Sequence, residues 1–212
     1  MKNFKLLSVV AICLMAFALT SCNTGGDDGP TVPTKEQAYS MMAQFNGTHQ
    51  CGILFPEDKS NNITKDSITT SIRINAMDST YTISNFPVSL IAKYVKDDAL
   101  AKAIQALPNQ TLSGHLLAHM NSTVENPLFG TVTENLNFQN DGKNYSLAFY
   151  AGYYTQYALA GKGQDKQKKN CFLLYLTPGA IFNGNTQVSN ALKTATSAYG
   201  AIPYTITLRY DL

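Results

Sequence analysis

The sequence predicts a mainly β domain: an antiparallel β-sandwich or partly closed barrel with one or two helices, an amphipathic one packed on it, and α+β as the alternative class. Three observations lead there. Runs that alternate apolar and polar residues recur about eight times after Gly47, with short polar connections between them. One segment, Pro87 to Pro108, repeats its apolar residues at three and four instead. Two tight-turn signals, Met77-Asp78-Ser79 and Asn140-Asp141-Gly142, fall where such runs meet.

In chain order, Thr34-Lys35-Glu36-Gln37 supplies a capping threonine with Gln three residues on. Ala38, Met41, Met42 and Phe45 then recur at helical spacing, so a short helix is expected to end near Gly47. From Thr48 to Phe55, His49, Cys51, Ile53 and Phe55 alternate with Gln50, Gly52 and Leu54, and Pro56 bounds the strand. In Ser67 to Asn75, Ile68, Thr70, Ile72 and Ile74 share one face, and Ser67, Thr69, Ser71, Arg73 and Asn75 take the other. The turn at 77–79 leads into Thr80 to Phe86, where Tyr81 and Ile83 alternate, which makes a hairpin. Pro87 suits the first turn of a helix whose stripe is Leu90, Ile91, Tyr94, Val95, Leu100, Ile104 and Leu107. Asp97-Asp98 is placed to cap a second helical piece before Pro108 stops it.

Strand patterns resume at Leu112–Met120, Leu128–Phe138, Tyr145–Leu159, Asn170–Leu176 and Ile202–Tyr210, with Asn140-Asp141-Gly142 joining the second and third of these. The last alternates without error, Ile202, Tyr204, Ile206, Leu208 and Tyr210 lying opposite Pro203, Thr205, Thr207 and Arg209. Gln187 to Ala198 reads as a short helix or an irregular excursion.

The first residues carry a different signal. Lys2 and Lys5 precede an apolar run from Leu6 to Leu19 that ends in Leu19-Thr20-Ser21-Cys22. The run is about 14 residues, short of the roughly 20 a helix needs to cross a bilayer, and a small-residue cut site follows it. Residues 1–21 are expected to be a lipoprotein signal peptide, with lipid carried on Cys22. Asn23 to Pro33 is rich in Gly, Pro and acid, so residues 22–34 should form a flexible tether and 35–212 a single domain.

The formal charge of +2 belongs to the leader, because Lys2 and Lys5 leave with it and fourteen basic residues then balance fourteen acidic ones. A mature chain that is formally neutral lacks the one-signed field that nucleic-acid binding uses, and no nucleic-acid partner is expected. Lys162, Lys166, Lys168 and Lys169 are interrupted by Gly161, Gly163 and Asp165 and read as a solvated hairpin loop. Of four cysteines, Cys13 leaves with the leader and Cys22 takes lipid. Cys51 and Cys171 are left in an oxidising compartment, either as a disulfide or as two separately buried thiols.

No catalytic constellation can be assembled. The chain has three histidines and no G-x-S-x-G elbow. His115 and His119 are four apart, but no Glu lies between them as a zincin would need, and they read better as rim residues opposite Leu116, Ala118 and Met120. Glu57-Asp58 and Asp97-Asp98 sit where carboxylates satisfy backbone donors, and no Ca²⁺ loop or phosphate cradle appears. No enzyme activity, metal or cofactor is expected. The most suggestive binding feature is the tyrosine-rich run from Tyr145 to Tyr157, of which Tyr150, Tyr154 and Tyr157 are the candidate ligand contacts, since a tyrosine offers a flat apolar body with a hydroxyl.

With the lipobox at Leu19-Thr20-Ser21-Cys22, the Asn46-Gly47-Thr48 start of a strand, and the run from Tyr81 to Ile91 through Asn85-Phe86-Pro87-Val88, the chain resembles the small uncharacterised lipoproteins of gut Bacteroidetes. That resemblance implies outer-membrane attachment and, through Asp27 and Asp28 soon after the cysteine, display on the cell surface. It also likens Ser67 and Ser79, each after an Asp, to O-glycosylation acceptors. It implies no activity. The expectation is an envelope or cell-surface lipoprotein whose domain binds a glycan, a small apolar molecule or a protein. The alternative is a structural or assembly subunit of an outer-membrane complex.

Overall fold

The computed structural model describes residues 32–56, 68–120, 122–152, 155–165, 167–197 and 200–212. The leader, Cys22, the tether through residue 31, Glu57, Asp58, Ser67, Tyr154 and Lys166 lie outside the described residues. The chain opens with helix α1 (Lys35–Ala43), then strands β1 (Gly47–Leu54), β2 (Ile68–Asn75) and β3 (Thr80–Phe86). A 3-10 helix (Val88–Tyr94) and helix α2 (Asp98–Gln105) precede β4 (Gln110–Ala118), β5 (Leu128–Thr133), β6 (Leu136–Asn140), β7 (Lys143–Phe149) and β8 (Leu159–Gln164). The remainder comprises β9 (Asn170–Leu176), β10 (Pro178–Asn183), β11 (Thr186–Gln187), β12 (Thr194–Ser197), β13 (Gly200–Pro203) and β14 (Ile206–Asp211).

Eight strands close into an antiparallel barrel in the order β1-β2-β3-β4-β5-β8-β9-β14, which then returns to β1. The expected mainly β class therefore holds, and closure decides for the barrel over the sandwich. Register explains what fills it. Across neighbouring strands Ile72 faces Ile83, Ile83 faces Leu112, Leu174 faces Leu208, and Ile206 faces Leu176, so one face of every strand converges inward. All of these side chains are buried. Gly114 completes the fit, because a Cβ there would lie 2.5 Å from the Tyr81 hydroxyl and from Val132 O. The missing side chain admits the Tyr81 phenol, which bonds Thr133 Oγ1 at 2.6 Å inside the barrel. The interior is a packed core. On β2, β3 and β4 the outer face carries Arg73 and His115 exposed and Thr82 and Ser113 half-buried.

Helix α1 covers one end of the barrel. Its start is the expected capping box, Gln37 N donating to Thr34 Oγ1 at 3.3 Å and Thr34 N to Gln37 Oε1 at 2.8 Å. It brings Met41, Met42 and Phe45 to 1% exposure or less, with Phe45 edge-on to Phe129 at 6.2 Å and tilted on Phe172 at 4.9 Å. Burying three such side chains contributes roughly 1.5–3 kcal/mol each, which is ample to seat a nine-residue helix. His49 closes the seam below it, its Nε2 2.9 Å from Phe45 O and its ring stacked on Tyr210 at 4.2 Å.

The connections at the opposite end are long, and here several sequence expectations are corrected. The alternating run 128–138 is two strands: β5 stays in the barrel, while β6 pairs with β7 in a second sheet of order β11-β10-β7-β6. Alternation survives the change because each sheet buries one face. Asp141 and Gly142 take positive φ of 48° and 69° in the β6–β7 turn, as their residue types require. The run 145–159 likewise breaks, β7 ending at Phe149. The helix expected over 87–108 is interrupted, because Val95 is extended and bridges Leu192, with Lys96 N donating to Ala191 O and Lys193 N to Tyr94 O. Asp97 caps the second piece as expected, accepting from Leu100 N at 3.0 Å. The stretch left open between Gln187 and Ala198 contributes β12, which pairs with β13, so 202–210 is also divided, with Tyr204 and Thr205 between β13 and β14.

Candidate binding surface

Tyr150 follows the last residue of β7, and its backbone N donates to Thr177 O at 2.9 Å. Its ring lies beside Gly179, where the β7–β10 ladder slips by one residue between Pro178 and Ala180. A Cβ at Gly179 would sit 3.3 Å from Tyr150 Cδ2, so the bulge glycine lets the ring lie close to the backbone. The chain then leaves the sheet, and Thr131 of β5 gathers both ends of the excursion. Its carbonyl accepts from Gly152 N, and its N–H donates to Ala158 O, each at 2.9 Å. Gly152 takes a φ of 103°, a conformation that favours glycine.

This clasp brings Tyr157 back to Tyr150. Their ring centroids are 5.4 Å apart with planes at 57°, Tyr150 being 38% exposed and Tyr157 half-buried. Thr155 holds the return, its Oγ1 accepting from Tyr157 N and its O from Ala158 N, both at 3.2 Å. The exposed Tyr150 ring and the half-buried Tyr157 ring, fixed by backbone bonds, form a ledge. Tyr150 and Tyr157 are thus brought together; Tyr154 lies outside the described residues. The contributions of Thr131 and Gly179 were not visible in the sequence, although Pro178-Gly179 after an alternating strand is a bulge signal.

The remaining candidates are kept apart. Cys51 points into the barrel opposite Thr70, while Cys171 lies on the outer face of β9, across β14 from β1; both are buried free thiols. Of the two arrangements the sequence left open, the structure has the two separate thiols, because residues on opposite faces of a sheet cannot meet. Burial pushes the Cys51 thiol up to about 11 and also raises Cys171. Next to Cys171, Asp165 is held below the usual carboxylate range by the Lys169 and Gln167 backbone N–H groups, each 2.8 Å from Oδ1, and by Arg209 at 3.0 Å. Those contacts shape the turn between β8 and β9, where Lys168 and Lys169 lie in the expected loop; Lys162, expected in the same loop, is instead in β8, paired with Phe172.

His115 is exposed on the outer face of β4, and His119 lies beyond its end with Nδ1 2.8 Å from Met120 O. Among the described residues no group of three or more His, Cys, Asp or Glu gathers as a metal site would need. Inside the barrel, Thr131 Oγ1 and Tyr210 OH are buried without a hydrogen-bond partner among the described residues, and burial raises the Tyr210 phenol above its ordinary range.

Comparison with curated proteins and with solved structures returned no match. Comparison with protein families matched residues 44–182, which run from the end of α1 through β10 and include Tyr150, Tyr157 and Thr131. By that match the chain belongs to the family described as Domain of unknown function (DUF4840).

Proposed function

We propose that this chain is a lipoprotein of the bacterial cell envelope, of the kind found in gut Bacteroidetes, held at the outer membrane by lipid on Cys22. Its barrel is a non-catalytic scaffold for a surface that binds a glycan or a protein. The observation that carries the reading is the Tyr150–Tyr157 ledge, set at 5.4 Å on the outside of a barrel whose interior is filled by its own side chains. A small apolar molecule is the weaker occupant, because a packed interior offers it no room. Two tilted rings with hydroxyl edges suit the apolar face of a sugar or the side chains of a partner.

The test is an unbiased screen of glycans and envelope proteins with the wild-type chain, repeated with Tyr150→Ala and Tyr157→Ala. Loss of the captured ligand in both variants is the expected outcome. A ligand that binds both variants as well as wild type removes the ledge from the account. A second reading, an assembly subunit, draws on β6, which ends the four-stranded sheet with one edge unpaired by any strand among the described residues. It predicts co-purification with one fixed protein and indifference to both tyrosine changes.

A further inference from the structure

The exposed apolar side chains are not spread evenly over the molecule. Among the described residues seven large hydrophobic side chains are exposed: Val32, Tyr39, Ile68, Met77, Val124, Tyr150 and Leu212. Five of them belong to segments at one end of the barrel. Tyr39 is on α1, and Val32 immediately precedes it. Met77 tips the β2–β3 turn, whose Ala76 N donates to Asn46 Oδ1 just beyond α1. Val124 is in the β4–β5 loop, where its carbonyl accepts from Gln44 Nε2 at 2.9 Å. Leu212 follows β14, its N–H bonded to Asn170 O at the start of β9. Register places all of these at the end capped by α1, because Gly47 faces Ile74, Thr80 faces His115, and Asp211 faces Cys171. A shallow groove of about 230 Å³ between Pro33, Gln37, Met41 and Val124 lies in the same surface.

We infer that this end of the barrel rests on the lipid surface to which the chain is anchored, with Met77, Val124 and Val32 at headgroup depth. Two observations identify the occupant. Nine residues, 23 to 31, separate Val32 from Cys22, so the two lie no more than about 35 Å apart by covalent reach alone. An anchor that near Val32 in the chain allows this end to touch the bilayer. The charges also fit an uncharged or mixed headgroup layer, since exposed Lys35, Lys168 and Lys169 stand beside exposed Glu36, Asp78 and Glu125 with no sign prevailing. Separate apolar tips among such charges resemble interfacial contact rather than insertion. The Tyr150 ledge belongs to the connection between β7 and β8, which leaves from the opposite end of the barrel.

The proposal rests on the anchoring reading, and the experiment separates the two. The chain has no tryptophan, so a single one reports without background. Full-length Met77→Trp, Val124→Trp and, at the far end of β2, Ile68→Trp are reconstituted on phosphatidylcholine vesicles containing brominated lipid. Mass spectrometry decides whether Cys22 is acylated. If it is not, the anchoring reading fails, and the chain is instead coupled through the Cys22 thiol to a maleimide lipid so that the contact is still measured. The expected result is loss of emission and a blue shift for Met77→Trp and Val124→Trp, with Ile68→Trp unchanged. Aqueous acrylamide should give the mirror image. Equal quenching at all three positions, or none at any, overturns the proposal whether or not the anchor is native. All three sites are exposed, so the reporters do not disturb the core.

Discussion

The two ends of the barrel are built by different means. At the α1 end the strands join through short segments, 76–79, 119–127 and 165–169, and closure comes from apolar side chains beneath one helix. At the other end the chain makes excursions over 87–109, 134–158 and 177–205, which build the second sheet, the β12–β13 hairpin, α2 and the tyrosine ledge. Order there rests on bonds between distant segments: Tyr94 stacks on Tyr204 at 4.7 Å and donates to Pro56 O at 2.8 Å, and Thr131 clasps the loop after Gly152. A hydrophobic cap tolerates no opening. A surface of clasped loops leaves backbone and rings accessible, which is where binding residues are commonly found.

That contrast is broken most directly at Phe45. Its ring is fully buried between Phe129 and Phe172, so Phe45→Ala should cost about 3–5 kcal/mol, read as a fall in the denaturant midpoint. A loss no larger than that of a helix cap would mean that α1 is not the closure described above.

The next effect is a pH dependence centred under the same cap. The Cys51 thiol stands at about 11 in the folded chain against an ordinary value near 9, because burial disfavours the thiolate. Between those values the folded state binds more protons than the unfolded one. The contribution is therefore complete below about pH 9 and is lost as pH rises through 11, amounting to at most about 2.7 kcal/mol and less where solvent screens the thiol. Urea titrations of wild type and Cys51→Ala across that range should diverge by this amount. Parallel curves would place water beside the thiol and weaken the picture of a sealed end.

The smallest effect sharpens the other side. Asp97→Ala removes the cap of α2 at the end with long connections and should cost about 1 kcal/mol. Hydrogen exchange should show the loss confined to 97–107 rather than spread through the barrel. A global loss would mean that the excursions are part of the barrel's cooperative core.

Much of the fold was legible because it is local. The capping box at Thr34, the cap at Asp97, the turns at 77–79 and 141–142, and the inward faces of β1, β2, β4 and β14 are where alternation and turn chemistry place them. The misreadings share one cause. At Glu134-Asn135, Tyr150 and Tyr204-Thr205 the chain changes partner while its alternation persists, since periodicity reports which face is buried and not which strand lies alongside. Tyr150 and Tyr157 were singled out on composition alone, and nothing local indicated that Thr131 would bring them together.

By itself, then, the sequence determined most of the segments that form strands and helices, the near balance of opposite charges, and the residues available for a core. Each follows from side-chain chemistry repeated within a few residues. Tertiary structure alone decided that the strands close on themselves, that Cys51 and Cys171 face opposite ways, that five exposed apolar side chains share one end, and that the tyrosines meet at the other. These depend on hydrogen bonds and contacts between residues far apart in the chain, whose pairing no short-range pattern encodes.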